Sequence, residues 1–276
     1  MTDLIEAVRD HYRATGLTDR LKTALAAVAL EHQRLTPQQL APLDQFHTRG
    51  LAATAELANL AGITGDMSVL DVGSGVGGPA RFLAASSGCR VVGVDLSEPF
   101  VEAARYLTER TGQSGQVSFQ IASALQLPFG DASFDVVLLQ HVAMNISDRA
   151  RLYREIRRVL KPGGRFATYD VVLNGGEPHY PLPWARTLAT SFLLTAAATR
   201  EAIEPAGFRA LVWQDDTEAA KAWAAQLRAS GPPPSPNLGV VMGPDFAELA
   251  ANLGQNLGEG RLGILTAVFT AASTNT

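Results

Sequence analysis

Cysteine is nearly absent from this sequence, and long apolar runs are absent altogether. Cys89 is the one cysteine in 276 residues, which excludes an internal disulfide and a zinc site built on cysteines. We therefore expect a reducing, cytoplasmic setting and no bound metal. No uninterrupted apolar run reaches about 18 residues, so we expect nothing to span a membrane. Because the acidic residues Asp3 and Glu6 lie near the start of the chain, we expect this segment not to be a signal peptide.

An excess of basic residues is missing as well. The 23 lysines and arginines are outnumbered by 27 aspartates and glutamates, which gives a formal net charge of −4 at pH 7. Binding of nucleic acid by bulk electrostatics requires the opposite balance, so we expect no nucleic-acid partner. Five arginines between positions 149 and 158 form the strongest basic run, and we interpret them as a solvated helix face.

Apolar residues make up 46% of the chain, which is ample for a buried core. From Ser68 onward the pattern alternates between strand-like and helix-like segments. Candidate strands occupy 68–72, 90–95, 117–121, 134–140, 164–172, 208–214 and 263–271. Helical patterns fall near 78–87, 98–111, 148–160, 198–206, 217–230 and 244–257. This alternation predicts the α/β class with a doubly wound, seven-stranded, mostly parallel sheet.

The segment before this sheet has a different pattern. Residues 1–62 contain several short helical patterns, one of them started by a capping box at Thr36-Pro37-Gln38-Gln39. We expect residues 1–62 to form a helical lid over the ligand-binding edge of the sheet and residues 63–276 to form the core. Residues 174–197 interrupt the strand and helix pattern and are expected to be an insertion that covers a substrate.

A glycine-rich stretch between the first strand and the next helix, residues 69–79, indicates a ligand-binding loop, because bare backbone allows a close approach. Two interpretations compete. Gly73-x-Gly75-x-x-Gly78 fits the dinucleotide fingerprint, with Asp95 at the distance of a ribose-binding acid. Asp71-x-Gly73-x-Gly75-x-Gly77 also resembles motif I of the class I methyltransferases that use S-adenosylmethionine (SAM).

Later segments favour the second interpretation. Val91 to Ser97 places an acid, Asp95, at the end of the second strand. The sequence before strand four reads Leu127-Pro128-Phe129-Gly130-Asp131-Ala132-Ser133-Phe134-Asp135, and the turn before strand five reads Leu160-Lys161-Pro162-Gly163-Gly164. In this order the four motifs resemble class I SAM-dependent methyltransferases, whose sheet is Rossmann-like. More loosely, the segments at 44–47, 140–146 and 179–184 are similar to the UbiE-like small-molecule branch, near sarcosine/dimethylglycine N-methyltransferase-like proteins.

The resemblance implies SAM as cofactor and assigns residues to it. Asp71 would orient the amino group of SAM, Asp95 would accept both ribose hydroxyls, and Leu96 would pack on the adenine. Ser123 stands where the family often has an aspartate that bonds the adenine amine. The implied cofactor site comprises Asp71, Gly73, Ser74, Gly75, Asp95, Leu96, Ser123, Ala124, Leu125 and Gln140, with Tyr12, Gln45 and His47 from the lid.

Candidate catalytic residues are His141, which follows strand four, and His179 with Tyr180 in the insertion. A neutral histidine is suited to take a proton near pH 7. Three functions stay open. The first is methylation of a small molecule on N, C or O, such as an aromatic or indole-type natural product of secondary metabolism. The second is methylation of a macromolecule, and the third is SAM binding without transferase activity. The oligomeric state also stays open, with a homodimer among the alternatives.

Overall fold

A computed structural model of the chain describes residues 15–30, 32–231 and 236–272. The strands are β1 (Ser68–Val72), β2 (Arg90–Asp95), β3 (Val117–Ile121), β4 (Phe134–Gln140), β5 (Leu160–Leu173), β6 (Phe208–Asp215) and β7 (Leu262–Ala271). They form one seven-stranded sheet in the order β3-β2-β1-β4-β5-β7-β6. Strands β1 to β5 pair in parallel, and β7 runs antiparallel to both β5 and β6. The predicted Rossmann-like, mostly parallel sheet is confirmed.

Within the described residues, three helices precede the sheet: α1 (Leu17–Ala26), α2 (Pro37–Asp44) and α3 (Gly50–Ala61). The helices that follow are α4 (Gly78–Ser87), α5 (Glu98–Thr111), α6 (Arg149–Val159), α7 (Ala196–Ile203), α8 (Thr217–Ser230), α9 (Gly239–Met242) and α10 (Phe246–Gly258). Helix α2 begins with the predicted capping box at Thr36. Helix α6 is capped by Asp148, because the first helical residue is Arg149 and the Asp148 side chain accepts a hydrogen bond from the Arg151 N–H.

Both faces of the sheet are buried, since successive side chains of the central strands enter two different apolar cores. On β4, Val136 and Leu138 belong to one core, whereas Val137 and Leu139 belong to the other. Helix α3 packs against β5 and contributes Leu57 to the first core. Helices α1 and α2 instead pack on α5 and α4. Because β1 to β5 are parallel, their carboxyl ends meet at one edge of the sheet.

Candidate functional site

The glycine loop that follows β1 is held against β2 by backbone hydrogen bonds. The N–H groups of Gly73 and Ser74 both donate to the Val94 carbonyl, at 2.8 and 3.0 Å. Gly73 has a φ of 73° and Gly75 one of 53°, which side chains other than glycine rarely adopt. A Cβ atom at Gly73 would also overlap the Val142 side chain. The loop therefore presents bare main chain at this edge, as a ligand in close approach requires.

Asp95 closes the loop from the end of β2. Its Oδ2 accepts a hydrogen bond from the Gly75 N–H at 2.9 Å, and its Oδ1 accepts one from the Ser97 N–H at 2.9 Å. Burial raises the pKa of Asp95, and these backbone hydrogen bonds oppose that rise by favouring the ionised form. The carboxylate is thus oriented by the fold itself.

Asp71, at the carboxyl end of β1, is buried without a full set of partners. Its side chain is 2% exposed, and burial, together with the charge of Asp95, raises its pKa to about 7. Within the described part of the chain, Oδ2 of Asp71 has no hydrogen-bond partner, and the same holds for Ser74 Oγ, Gln140 Oε1 and His141 Nε2. Because a buried polar atom without a partner is costly, these four atoms indicate a ligand that donates hydrogen bonds.

All four of these residues border one cavity of about 190 Å³ at this edge of the sheet. The cavity brings together most of the cofactor residues predicted from sequence: His47, Asp71, Gly73, Ser74, Gly75, Asp95, Leu96, Ser123, Ala124, Leu125 and Gln140. Apolar side chains also border the cavity, and we call six of them the apolar chamber: Met144, Ile146, Trp184, Phe192, Met242 and Leu253.

Other predicted residues lie elsewhere. Gln45 is buried but does not border the cavity, and its Oε1 atom lies 3.2 Å from Thr54 Oγ1. Tyr180 packs against an apolar core and His179 lies at the surface, with its Nε2 atom 2.8 Å from Glu259 Oε2. The structure therefore does not bring His179 to His141, because Asn256 and Glu259 hold it on α10 and the turn that follows. Tyr12 lies outside the described residues.

His141 belongs to an aromatic cluster at the end of β4. Its ring stacks on Tyr169 of β5, with centroids 5.4 Å apart and planes 6° apart. The His47 ring meets both edge-on, 6.0 Å from His141 and 5.8 Å from Tyr169. Burial lowers the pKa of His47 to about 4, and burial with the neighbouring His47 lowers that of His141 well below 6.5. Both imidazoles are therefore neutral at physiological pH.

Hydrogen bonds fix the tautomer of His47 and the orientation of Gln140. Nδ1 of His47 lies 3.2 Å from the Thr48 carbonyl oxygen, so this nitrogen carries the proton. Its Nε2 is then an acceptor, 3.1 Å from Thr54 Oγ1 and 3.4 Å from the Gln140 amide nitrogen. With the amide nitrogen of Gln140 facing these groups, its Oε1 atom is the one left without a partner.

Sequence reasoning missed a buried ion pair beside the glycine loop. Arg81 of α4 and Asp44 of α2 are both 0% exposed, with Nη2 and Oδ2 2.8 Å apart. The same guanidinium donates to the Val76 carbonyl at 2.7 Å and to the Ala104 carbonyl at 3.2 Å. The pair joins the end of α2, which borders the cavity, to the loop beneath it. In the sequence, nothing about Asp44, two residues before Phe46, or about Arg81, within a helical pattern, indicates that the two side chains pair.

Sequence reasoning also missed Tyr169 and the apolar chamber. Tyr169 faces Gln140 in the register of β4 and β5, so a correct pairing of these strands would have placed it beside His141. Met242 and Leu253 come from α9 and α10, about 100 residues after β4, and no sequence pattern joins them to the site.

Two further findings concern the whole described chain. Across the residues described, no helix combines the length and apolar character that crossing a bilayer demands. Nor do those residues contain a group of three histidine, cysteine, aspartate or glutamate side chains placed to hold a metal ion.

Residues 70–168 match the model of a family described as a methyltransferase domain. Methyltransferase GfsG of Streptomyces halstedii is 38% identical over 133 residues, which cover 48% of each chain. A sterol 24-C-methyltransferase of Eremothecium gossypii is 37% identical over 169 residues, covering 58% of this chain and 44% of that protein. The chain thus spans about half the length of these curated relatives.

The fold is also found in a solved structure. Geranyl diphosphate C-methyltransferase from Streptomyces coelicolor A3(2), in complex with Mg²⁺, geranyl-S-thiolodiphosphate and S-adenosyl-L-homocysteine, superposes with a TM-score of 0.71. The match covers 98% of this chain and 98% of that one at 17% identity. At that identity the likeness is one of fold.

Proposed function

We propose that this chain, which carries a class I SAM-dependent methyltransferase domain, transfers a methyl group from SAM to a small molecule. The observation that carries the proposal is one cavity with two unlike sets of lining residues. The first set, which we call the polar half, contains the bare glycine loop and two carboxyl groups and suits a polar, positively charged cofactor. The second set is the apolar chamber, which suits the acceptor. His141 and Gln140 border the cavity at the end of β4.

The polar half fits SAM on its own chemistry. SAM carries an ammonium group, and the unpartnered Oδ2 atom of Asp71 would accept a hydrogen bond from it. The ribose presents two hydroxyls, and Asp95 has lone pairs left for both after its two backbone hydrogen bonds. Leu96 and the segment 122–125 border the same half of the cavity and would hold the adenine. When bound, SAM supplies a methyl group on a positively charged sulfur.

The remaining tasks fall to the chain's own residues. They hold the acceptor in line and exclude water, which is most of what methyl transfer needs from an enzyme. An acceptor hydroxyl also has to lose a proton. His141 Nε2 would take it, since this atom is unpartnered and the imidazole is neutral. His47, with its proton held on Nδ1, would position Gln140 and not act as the base.

Several finer assignments belong to the same proposal. Residues 1–62 would act as a lid, with α2 held over the glycine loop by the pair of Asp44 and Arg81. Residues 174–197 would cover the acceptor, since Trp184 and Phe192 border the apolar chamber. Placement in the UbiE-like branch, near sarcosine/dimethylglycine N-methyltransferase-like proteins, and a cytoplasmic location are likewise proposed, on the sequence motifs and the single cysteine.

Calorimetric titration followed by a transfer assay tests the proposal. We expect SAM to bind with a micromolar dissociation constant and NAD not to bind, and we expect labelled methyl from SAM to appear on a small-molecule acceptor. Binding of NAD without SAM would refute the cofactor. Binding of SAM without transfer to any acceptor of a broad panel would instead favour a SAM-binding protein that is not a transferase.

A further inference from the structure

The apolar chamber is lined by side chains that would leave a charged molecule poorly solvated. Its six residues are two methionines, an isoleucine, a leucine, a tryptophan and a phenylalanine. Met144 and Trp184 are 2% exposed, and Leu253 packs against an apolar core. A phosphate, carboxylate or ammonium placed among these six side chains would lose hydration without gaining a hydrogen bond or an opposite charge from any of them, which disfavours a charged acceptor.

The ionisable groups around the cavity also disfavour a charged acceptor. Among the described residues that border it, every such group is a carboxyl or an imidazole: Asp44, Asp71, Asp95, His47 and His141. The carboxyl groups would repel an anion. A cation would meet Asp44 already paired with Arg81, and would lie beside the positive sulfur of the cofactor that the proposed function places there.

The walls of the chamber are held in place by hydrogen bonds. Trp184 Nε1 donates to Ser191 Oγ at 3.0 Å, which fixes the indole within the 174–197 segment. The Phe192 N–H donates to the Met144 carbonyl at 2.8 Å, and Arg149 donates to the Phe192 carbonyl at 2.9 Å. These bonds tie the insertion to the turn after β4. The chamber is therefore a preformed apolar surface, so its chemistry selects the acceptor.

Building on the proposed function, we infer that the acceptor is an uncharged, largely apolar molecule, seated on Met144, Ile146, Trp184, Phe192, Met242 and Leu253, that presents a nucleophilic hydroxyl or carbon to His141. A zwitterionic amino acid, a phosphorylated base and an isoprenoid diphosphate fall outside this class, because each carries a formal charge.

Three phenols that differ in charge provide the test: para-propylphenol, which is neutral, para-hydroxyphenylpropionate, which is an anion, and tyramine, which is a cation. Binding to the protein saturated with S-adenosylhomocysteine is measured by titration calorimetry. We expect the dissociation constant of the neutral phenol to be about tenfold or more below both others. Equal or tighter binding of either charged phenol overturns the inference, as does binding of none of the three.

A charge placed in the wall sharpens the test. Ile146→Arg should weaken binding of para-propylphenol and strengthen binding of para-hydroxyphenylpropionate, each by about fivefold or more. Leu211→Arg is the matched control, because Leu211 on β6 is 47% exposed and does not border the cavity, so it should leave both constants unchanged. Unchanged selectivity in a folded Ile146→Arg protein contradicts the inference. If S-adenosylhomocysteine fails to bind, the proposed function fails, while the order of affinities of the three phenols still tests the chamber.

Discussion

The backbone N–H of Gly75 donates a hydrogen bond to Oδ2 of Asp95 across 2.9 Å, which joins the loop after β1 to the end of β2. A second backbone N–H, from Ser97, holds the other carboxylate oxygen. Because each oxygen can accept more than one hydrogen bond, the carboxylate is oriented and still has capacity for a ligand. An acid that is fixed in this way loses little conformational freedom when it binds two neighbouring hydroxyls.

Replacing Asp95 therefore tests the ribose assignment. Asp95→Ala should raise the dissociation constant of SAM about tenfold or more, because two charge-assisted hydrogen bonds are lost at roughly 1.5–3 kcal/mol each. The measurement is calorimetric titration, with thermal unfolding as a check that the loop and sheet remain folded. Asp19→Ala is the control, since that carboxylate is 83% exposed on α1. Unchanged SAM affinity in a folded Asp95→Ala protein would refute the assignment.

Much of the polar half of the site was predicted because the sequence resembles a family whose cofactor residues lie at the ends of strands. The carboxyl ends of parallel strands meet at one edge of the sheet, so residues that follow predicted strands converge there. Asp95 and Gln140 each end a strand, and Asp71 lies one residue before the end of β1. The apolar pattern predicted the limits of all three strands. The local backbone sets the positions of the glycines in the loop and of the acids at the strand ends, so both can be located from the sequence.

The acceptor half was not predictable, because tertiary packing alone assembles it. Leu253 borders the cavity because its helix, α10, packs beside β7. His179 was a candidate catalytic residue alongside His141, but Asn256 accepts a hydrogen bond from its backbone N–H and holds the segment on α10. The burial of the Arg81 side chain was also not predictable, because an arginine in an amphipathic helix usually faces solvent.

The raised pKa of Asp71 predicts a pH-dependent effect on stability. In the folded protein this pKa is about 7, against 3.8 for the exposed group, so the folded state holds the proton more tightly than the unfolded chain. Stability is therefore lost as pH rises from about 4 to about 7, and above that range the loss is complete. Asp71→Asn should raise the melting temperature relative to the wild type at about pH 8 and much less at about pH 5.

The same substitution should weaken the cofactor site. Asp71→Asn removes the charge that would pair with the ammonium group of SAM, so the dissociation constant should rise about tenfold. Ionisable groups elsewhere in the protein are common to both proteins and cancel in the comparison. A variant with the same melting-temperature difference at both pH values, or with full SAM affinity, would contradict this role of Asp71.

The buried pair of Arg81 and Asp44 predicts a large loss of stability. Arg81→Met leaves the Asp44 carboxylate, which is 0% exposed, without its charged partner, which should cost about 3–5 kcal/mol of unfolding free energy. Arg200→Met is the matched control, because the Arg200–Glu204 pair is 49% and 43% exposed and should cost less than about 1 kcal/mol. Urea denaturation of both variants measures the difference. Equal losses would show that the pair does not anchor α2.

The lowered pKa values of the histidine cluster change what a pH profile can show. Burial keeps the pKa of His141 well below 6.5, so its imidazole stays neutral between about pH 6 and about pH 8. Turnover that is flat across this range is therefore expected of a histidine base here. Only a fall in turnover at lower pH, where the imidazole becomes protonated, would show that turnover depends on neutral His141. Substitution has to decide whether His141 acts as the base.

His141→Gln should lower turnover by roughly 10²–10⁴-fold and leave SAM affinity nearly intact, because the amide cannot take the proton of an acceptor hydroxyl. His179→Gln should keep turnover near that of the wild type, since the His179 ring lies at the surface against Glu259. Steady-state kinetics distinguishes a base at His141 from a positioning residue. Loss of a positioning residue raises KM and changes turnover at a saturating acceptor concentration little. If His141→Gln retains full turnover, no base is needed, and a carbon or neutral amine nucleophile becomes the better assignment. If His179→Gln loses turnover, the 174–197 segment moves inward during catalysis.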